Sequence, residues 1–323
     1  MSYPKTRLRR LRYNKAIRDL VDDTNLSTTD LIYPIFVCEG KNIKKEIKSM
    51  PGQYQLSIDN VLKTCDELVS KNINSIILFG IPSKKDEEGL VAIDDNGIVQ
   101  RAIKEIKKKN KNTLVIVDVC NCQYTTHGHC GTIKDGDVDN DSTLKNLGDQ
   151  ALSLANAGAD VIAPSDMMDG RVKYIRDVLD KSNYHKIPIF SYSIKYESSF
   201  YGPFRNATDI SKNFKDRKTY QMSFKSSNEA LREAEMDIKE GVDVIIIKPA
   251  LSYLDILYKI KSKYNIPVIA YNVSGEYSML KAASEKKWIK SKETIIEILT
   301  SMKRAGANAI ITYHALEISD YLN

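Results

Sequence analysis

The segment Asp118-Val119-Cys120-Asn121-Cys122-Gln123-Tyr124-Thr125-Thr126-His127-Gly128-His129-Cys130 carries three thiols and two imidazoles within thirteen residues. Thiolates are soft ligands that suit zinc, and a closed structural zinc site normally takes four protein ligands. Cys120, Cys122 and Cys130 without an obvious fourth ligand leave one coordination position for water or substrate, the pattern of a catalytic site. The alternatives are a structural site completed by His127 or His129, or three free buried thiols. Cys38 and Cys65 stand apart and read as core or surface thiols.

A second set of reactive groups lies further along the chain. Lys248 follows Val244-Ile245-Ile246-Ile247 and precedes Pro249. An ammonium group emerging from an apolar strand loses hydration, which favours the neutral amine, and a neutral amine adds to carbonyls. Lys195 holds the matching place after Ile187-Pro188-Ile189-Phe190-Ser191-Tyr192-Ser193-Ile194. One lysine at a strand end more often snorkels to water. Two facing one cavity would depress each other's pKa, which favours a pair of Schiff-base lysines. Arg205 and Arg217 are suited to clamp a carboxylate bidentately, although a lone loop arginine is usually solvated. Ser274 and Tyr313 could donate to a second carboxylate, and Ser274 could equally cap the helix that follows it.

These groups need a scaffold that brings distant segments together. Eight short apolar runs rich in Val and Ile supply one: Leu31–Val37, Ser75–Gly80, Leu114–Val119, Asp160–Pro164, Ile187–Ile194, Asp243–Ile247, Ile266–Val273 and Asn308–Thr312. Segments of helical period separate them, such as Ile98, Val99, Ala102, Ile103 and Ile106, and Ser226-x-x-Glu229 reads as a capping box opening another helix. Ala157-Gly158-Ala159-Asp160, Glu240-Gly241-Val242-Asp243 and Ala305-Gly306-Ala307-Asn308 repeat a glycine-ended helix feeding a strand. The repeated βα pattern predicts a (β/α)8 TIM barrel. A doubly wound open sheet is second, because neither Gly-x-Gly-x-x-Gly after the first strand nor a P-loop is present. In a barrel the carboxyl ends of the strands carry the site. The residues there are Cys120 and Cys122, Ser165 and Asp166, Lys195, Lys248, Ser274 and Tyr313. The polar stretch 199–223 predicts a loop over that end, either a lid or an inert insertion.

Composition narrows the class. The 323 residues carry 48 basic and 42 acidic side chains, a net +6. The lysine run 104–111 reads as a solvated helix face rather than a nucleic-acid surface, which would interleave arginine and aromatic residues. No stretch reaches the roughly 18 apolar residues of a membrane span, so a soluble protein is expected. Five cysteines, an odd number, argue against a secreted disulfide framework and for thiols kept reduced in the cytoplasm. The basic segment Lys5-Thr6-Arg7-Leu8-Arg9-Arg10-Leu11-Arg12 lacks the apolar core of a signal peptide. It reads as an arm packing on a neighbouring subunit, with an organelle-targeting segment as the alternative.

The chain resembles the 5-aminolevulinate dehydratase (porphobilinogen synthase) family over nearly its whole length. The resemblance is carried by Asp30-Leu31-Ile32-Tyr33-Pro34, the cysteine segment, Ala163-Pro164-Ser165-Asp166-Met167-Met168-Asp169-Gly170-Arg171, Phe200-Tyr201-Gly202-Pro203-Phe204-Arg205, Asp216-Arg217-Lys218-Thr219-Tyr220-Gln221-Met222, Ile247-Lys248-Pro249-Ala250 and Tyr271-Asn272-Val273-Ser274-Gly275-Glu276-Tyr277. It implies one catalytic barrel domain over 1–323, with residues 1–28 as an oligomerisation arm, commonly in a homo-octamer, and 199–223 as an active-site lid. It implies asymmetric condensation of two 5-aminolevulinate molecules to porphobilinogen, a step of haem biosynthesis. Lys248 would form the Schiff base with one substrate, whose carboxylate meets Ser274 and Tyr313. Lys195 would hold the other, with Arg205 and Arg217 on its carboxylate. Cys120, Cys122 and Cys130 match the zinc-requiring branch. Asp118 and Asp166 are candidates for proton transfer, a structural role being the alternative. Glu233 matches a position that binds allosteric magnesium, although a lone helix glutamate is usually just solvated. Asn272 stands where many relatives carry glutamine. A class I aldolase would need only one lysine and no thiolate metal, a zinc-dependent nucleic-acid binder would need two finger-like ligand pairs, and a barrel that had lost catalysis would lack reactive residues that are all present here.

Overall fold

The computed structural model describes residues 5–210 and 216–322. Residues 1–4 of the expected arm, 211–215 of the expected lid and the terminal Asn323 lie outside the described residues. Eight parallel strands form a barrel: β1 (Leu31–Cys38), β2 (Ser75–Ile81), β3 (Leu114–Val119), β4 (Val161–Pro164), β5 (Phe190–Lys195), β6 (Val244–Lys248), β7 (Val268–Asn272) and β8 (Ala309–Thr312). Their order is β4-β3-β2-β1-β8-β7-β6-β5. The circle closes through a single parallel bridge between Ile162 and Ile189, just ahead of β5.

The (β/α)8 barrel expected from the repeat is therefore the fold. Its strands are buried on both faces, which is why they read as continuous apolar runs. Ile245 and Ile247 of β6 pack outward among the helices, whereas Val244 and Ile246 face the barrel interior. Alternation then carries Lys248 to the interior. On β5 the same alternation would fail, because Tyr192 faces inward and Ile194 outward. The pairing of β5 with β6 resolves this: Ile245 opposes Ser191 but Ile247 opposes Ile194, so a bulge at Tyr192–Ser193 shifts the register by one residue. Lys195 then pairs directly with Lys248, and the bulge has re-aimed its side chain. The strand begins at Phe190 rather than Ile187, because Pro188 has no N–H to give to a ladder.

Two local expectations change. The helix Asn228–Glu240 starts without the capping box at Ser226; its N-cap is Ser227, whose hydroxyl accepts from Lys259 Nζ at 3.0 Å. The stretch after β5 is not all loop. It forms a turn at Ser199–Tyr201 and a helix at Gly202–Ala207, with Pro203 in its first turn. Phe204 anchors it in the barrel mouth, 5.6 Å from Phe36 and 5.1 Å from Phe79 between ring centres. Gly275 makes room, since a Cβ there would meet the Phe200 carbonyl oxygen at 2.5 Å.

Candidate active site

Lys248 ends β6 inside a ring of aromatic faces. Its Nζ lies 4.6 Å from the centre of Tyr271, 5.0 Å from Phe204, 5.1 Å from Tyr192 and 5.4 Å from Tyr201. Burial, reinforced by the charge of Lys195, brings its pKa from 10.5 down to about 7. The rings exclude water while their π faces still tolerate a cation. Lys195 Nζ donates to the Ser165 carbonyl oxygen and lies 6.0 Å from the Tyr192 ring. The two amines thus flank one tyrosine, whose hydroxyl is buried without a hydrogen-bond partner.

Asp118, from β3, faces the same interior. Burial raises its pKa, and the charges of Lys248 and Lys195 oppose that rise. Gln123 Nε2 donates to one carboxylate oxygen at 3.4 Å, and the Ser165 side chain also hydrogen-bonds the group. Asp166 has a different setting. Its Oδ1 accepts from the Met168 N–H at 2.7 Å and its Oδ2 lies 3.9 Å from Arg171 Nε, while burial raises its pKa to about 6. Arg171 also reaches Asp237 at 3.1 Å, so Asp166 belongs to a buried ion network that runs toward the helix Asn228–Glu240.

The three expected metal ligands converge. The Cys120, Cys122 and Cys130 sulfurs lie within 4.8 Å of one another, all buried, and Cys120 and Cys122 are 3.4 Å apart. Tetrahedral thiolate ligation at about 2.3 Å separates sulfurs by about 3.8 Å, so the set fits a zinc-sized soft cation. The thiols are electrostatically one unit: hydrogen bonds from Cys120 and Cys122 lower the Cys130 pKa, and burial raises that of Cys120. Among the described residues neither histidine joins this group. His127 Nε2 pairs with the Glu87 carbonyl at 2.8 Å and its Nδ1 accepts from the His129 N–H at 3.0 Å. His129 Nδ1 contacts the Tyr220 hydroxyl at 3.1 Å.

Arg217 is buried and donates to the Gly128 carbonyl at 3.0 Å, inside the cysteine loop. Burial works against its charge, but the neighbouring sulfurs of the cysteine cluster, Cys130 first, outweigh that and raise its pKa. Arg205, on the helix Gly202–Ala207, is half-buried; burial and then Arg217 lower its pKa. The two guanidiniums therefore lie close enough to repel one another, and a bound anion would relieve that repulsion. Ser274 does not cap its helix. Its Oγ donates to the Phe200 carbonyl at 3.2 Å and accepts from the Phe204 N–H at 3.0 Å, while Glu276 caps by accepting from the Val273 N–H at 2.9 Å. Tyr313, after β8, shares a 3.0 Å hydrogen bond with Tyr271. Glu233, on the helix Asn228–Glu240, lines a cavity with Met167, Met168 and residues 218–223 of the expected lid. It is half-buried at an acidic cavity of about 620 Å³ that Asp169, Glu229 and Asp237 also line, and burial raises its pKa to about 7. Those carboxylates do not converge on one point as the thiols do.

The aromatic cage around Lys248 has no signature of its own in the sequence. Tyr192 was hidden by the bulge, which no periodicity reveals. Tyr201 and Phe204 were hidden because 199–223 has no period of its own, although two aromatic residues beside Gly202-Pro203 are a signal of a packed turn.

Comparison with known proteins decides the family. A family model described as delta-aminolevulinic acid dehydratase matches residues 5–321. The chain belongs to the delta-aminolevulinic acid dehydratase family. A curated delta-aminolevulinic acid dehydratase from Bacillus subtilis is 53% identical over 322 residues, covering 100% of this chain and 99% of the relative. One from Methanothermus sociabilis is 54% identical over 318 residues, covering 98% and 99%. The crystal structure of delta-aminolevulinic acid dehydratase (porphobilinogen synthase) from Toxoplasma gondii, in complex with the reaction product porphobilinogen, superimposes with a TM-score of 0.96 at 44% identity. It covers 98% of this chain and 91% of that one. Membership makes the chain a lyase of the delta-aminolevulinic acid dehydratase family and sets aside the aldolase and nucleic-acid alternatives.

Proposed function

We propose that this chain condenses two 5-aminolevulinate molecules into porphobilinogen with loss of two waters, using Lys248 and Lys195 as Schiff-base amines. The observation that carries the reading is Lys248 itself: a buried amine with a pKa brought to about 7, paired in register with a second lysine. A substantial fraction is then neutral at neutral pH and can add to the keto carbonyl. Loss of water leaves an iminium, which withdraws electrons and acidifies the adjacent carbon. The carboxylate of that substrate falls to Ser274 and Tyr313. The second substrate takes Lys195, with its carboxylate between Arg205 and Arg217. Asp118, which interacts with both lysines, is the better placed proton carrier; Asp166 is tied to Met168 and Arg171. One C–C and one C–N bond form, and general acid–base steps expel the waters.

Cys120, Cys122 and Cys130 would hold zinc with a fourth position open. Bound there, zinc would supply Lewis acidity toward the second substrate's amine or a bound water. Magnesium, if taken up, would sit largely hydrated at Glu233, because one or two carboxylates and several waters are its usual shell. Residues 5–21 support an oligomeric assembly, the octamer of the resemblance. The turn Leu8–Leu11 and the helix Lys15–Val21 bury nothing, and Leu8, Leu11 and Leu20 are 65%, 52% and 83% exposed. No helix among the described residues is long and apolar enough to cross a membrane. Reduced thiols at the metal site favour a cytoplasmic location.

The test is porphobilinogen formation by the purified protein, with and without a zinc chelator, followed by borohydride trapping and peptide mapping. Product that disappears on chelation, with substrate trapped on Lys248 or Lys195, is expected. No product under zinc-replete reducing conditions would overturn the reading.

A further inference from the structure

Glu276 is a carboxylate that the condensation does not consume, yet it is 2% exposed and thoroughly engaged. Its Oε2 accepts from the Val273 N–H at 2.9 Å and from Asn272 Nδ2 at 3.0 Å, and its Oε1 accepts from the Leu251 N–H at 2.9 Å. The Ala250 backbone bonds the same group. Asn272 passes the connection on, its Oδ1 accepting from Thr312 Oγ1 at 3.0 Å, and that hydroxyl accepts from the His314 N–H at 3.2 Å. A helix cap needs only the Val273 bond. The others reach three separate strand ends.

Those strand ends carry the groups assigned to one substrate. Ala250 and Leu251 form the turn that leaves Lys248, Val273 precedes Ser274, and Thr312 precedes Tyr313. The substrate is a short keto acid, so the distance from its carbonyl carbon to its carboxylate has little freedom. The amine and the carboxylate pocket must be held at one separation, and several buried hydrogen bonds to one side chain are strong enough to hold it. We propose that Glu276 is a positioning residue whose carboxylate sets the spacing between Lys248 and the Ser274–Tyr313 pocket, an inference that rests on the Schiff-base reading of Lys248. Asn272 extends the same clamp to β8.

Two ketones separate this role from a merely structural one. 4-Oxopentanoate has the substrate's carbonyl and carboxylate; butanone has the carbonyl alone. The full-length zinc-loaded protein is titrated with each, reduced with borohydride, and labelling at Lys248 is counted by peptide mapping. In Glu276→Gln the half-saturating 4-oxopentanoate concentration rises roughly tenfold while that of butanone stays unchanged, since the amine is intact and only its register with the pocket is lost. Thr312→Val, which deletes one hydroxyl and leaves the carboxylate in place, gives the same selective shift at about threefold and keeps the test open should Glu276→Gln not fold. An equal shift for both ketones, or no shift in a folded variant of either kind, overturns the positioning role alone. Wild-type labelling at Lys195 alone overturns this role, and labelling at neither lysine overturns the Schiff-base reading and this role together.

Discussion

A lysine enclosed by four aromatic rings is costly to charge, and that cost is what frees its lone pair. The folded protein holds Lys248 near 7 while the unfolded chain returns it to 10.5. Between those values the unfolded state binds more protons, so stability rises with pH across that window, and below it the full penalty of burying the cation applies. Lys248→Met is therefore expected to abolish turnover and raise the melting temperature at pH 7 by several degrees, with the gain fading above pH 10.5; calorimetry across pH checks this. In the wild type kcat/KM should climb with pH to a plateau through an apparent pKa of about 7, read from a pH–rate profile. At this scale the sequence was legible where chemistry follows from residue type: the amine after four apolar residues, and three thiols too close together to be incidental. Tyr192 and Glu276 were not, because a tyrosine on a strand and a glutamate opening a helix have ordinary structural uses that spacing alone cannot separate from these.

Elements decide where those residues point. β6 obeys simple alternation and delivers Lys248 inward, whereas β5 needs its bulge to deliver Lys195, and a bulge leaves no trace in hydrophobic period. The stretch after β5 looked structureless for a related reason: its order comes from Phe204 in the barrel mouth and Phe200 lying on Gly275, contacts remote in sequence. Because Arg205 rides on that short helix, within electrostatic reach of Arg217, its replacement should weaken substrate binding more than chemistry. Arg205→Ala is expected to raise KM about tenfold or more with a smaller fall in kcat, since a bidentate carboxylate contact is lost while both amines remain. Steady-state kinetics measures the split, and equal effects on both constants would count against the assignment.

The molecule as a whole was legible as a barrel because eight two-sided apolar strands and glycine-ended helices leave few other ways to bury them. What the pattern could not show was assembly. The exposed leucines of residues 8–20 are not buried by any of the described residues, so removing residues 1–21 should leave a folded barrel of smaller particle mass, measured by light scattering coupled to gel filtration. Closure of the barrel was also invisible to periodicity, and it is uneven. β4 and β5 meet through the single Ile162–Ile189 bridge, and above it the side chain of Lys195 ties across to the carbonyl of Ser165. Lys195→Met should accordingly speed amide hydrogen exchange along β4 and β5 while leaving β1 and β2 protected. The amine proposed to capture the second substrate is thus also the rivet at the barrel's thinnest joint. Each turnover would draw it out and set it back, so that breathing of this seam keeps time with substrate entry and product departure.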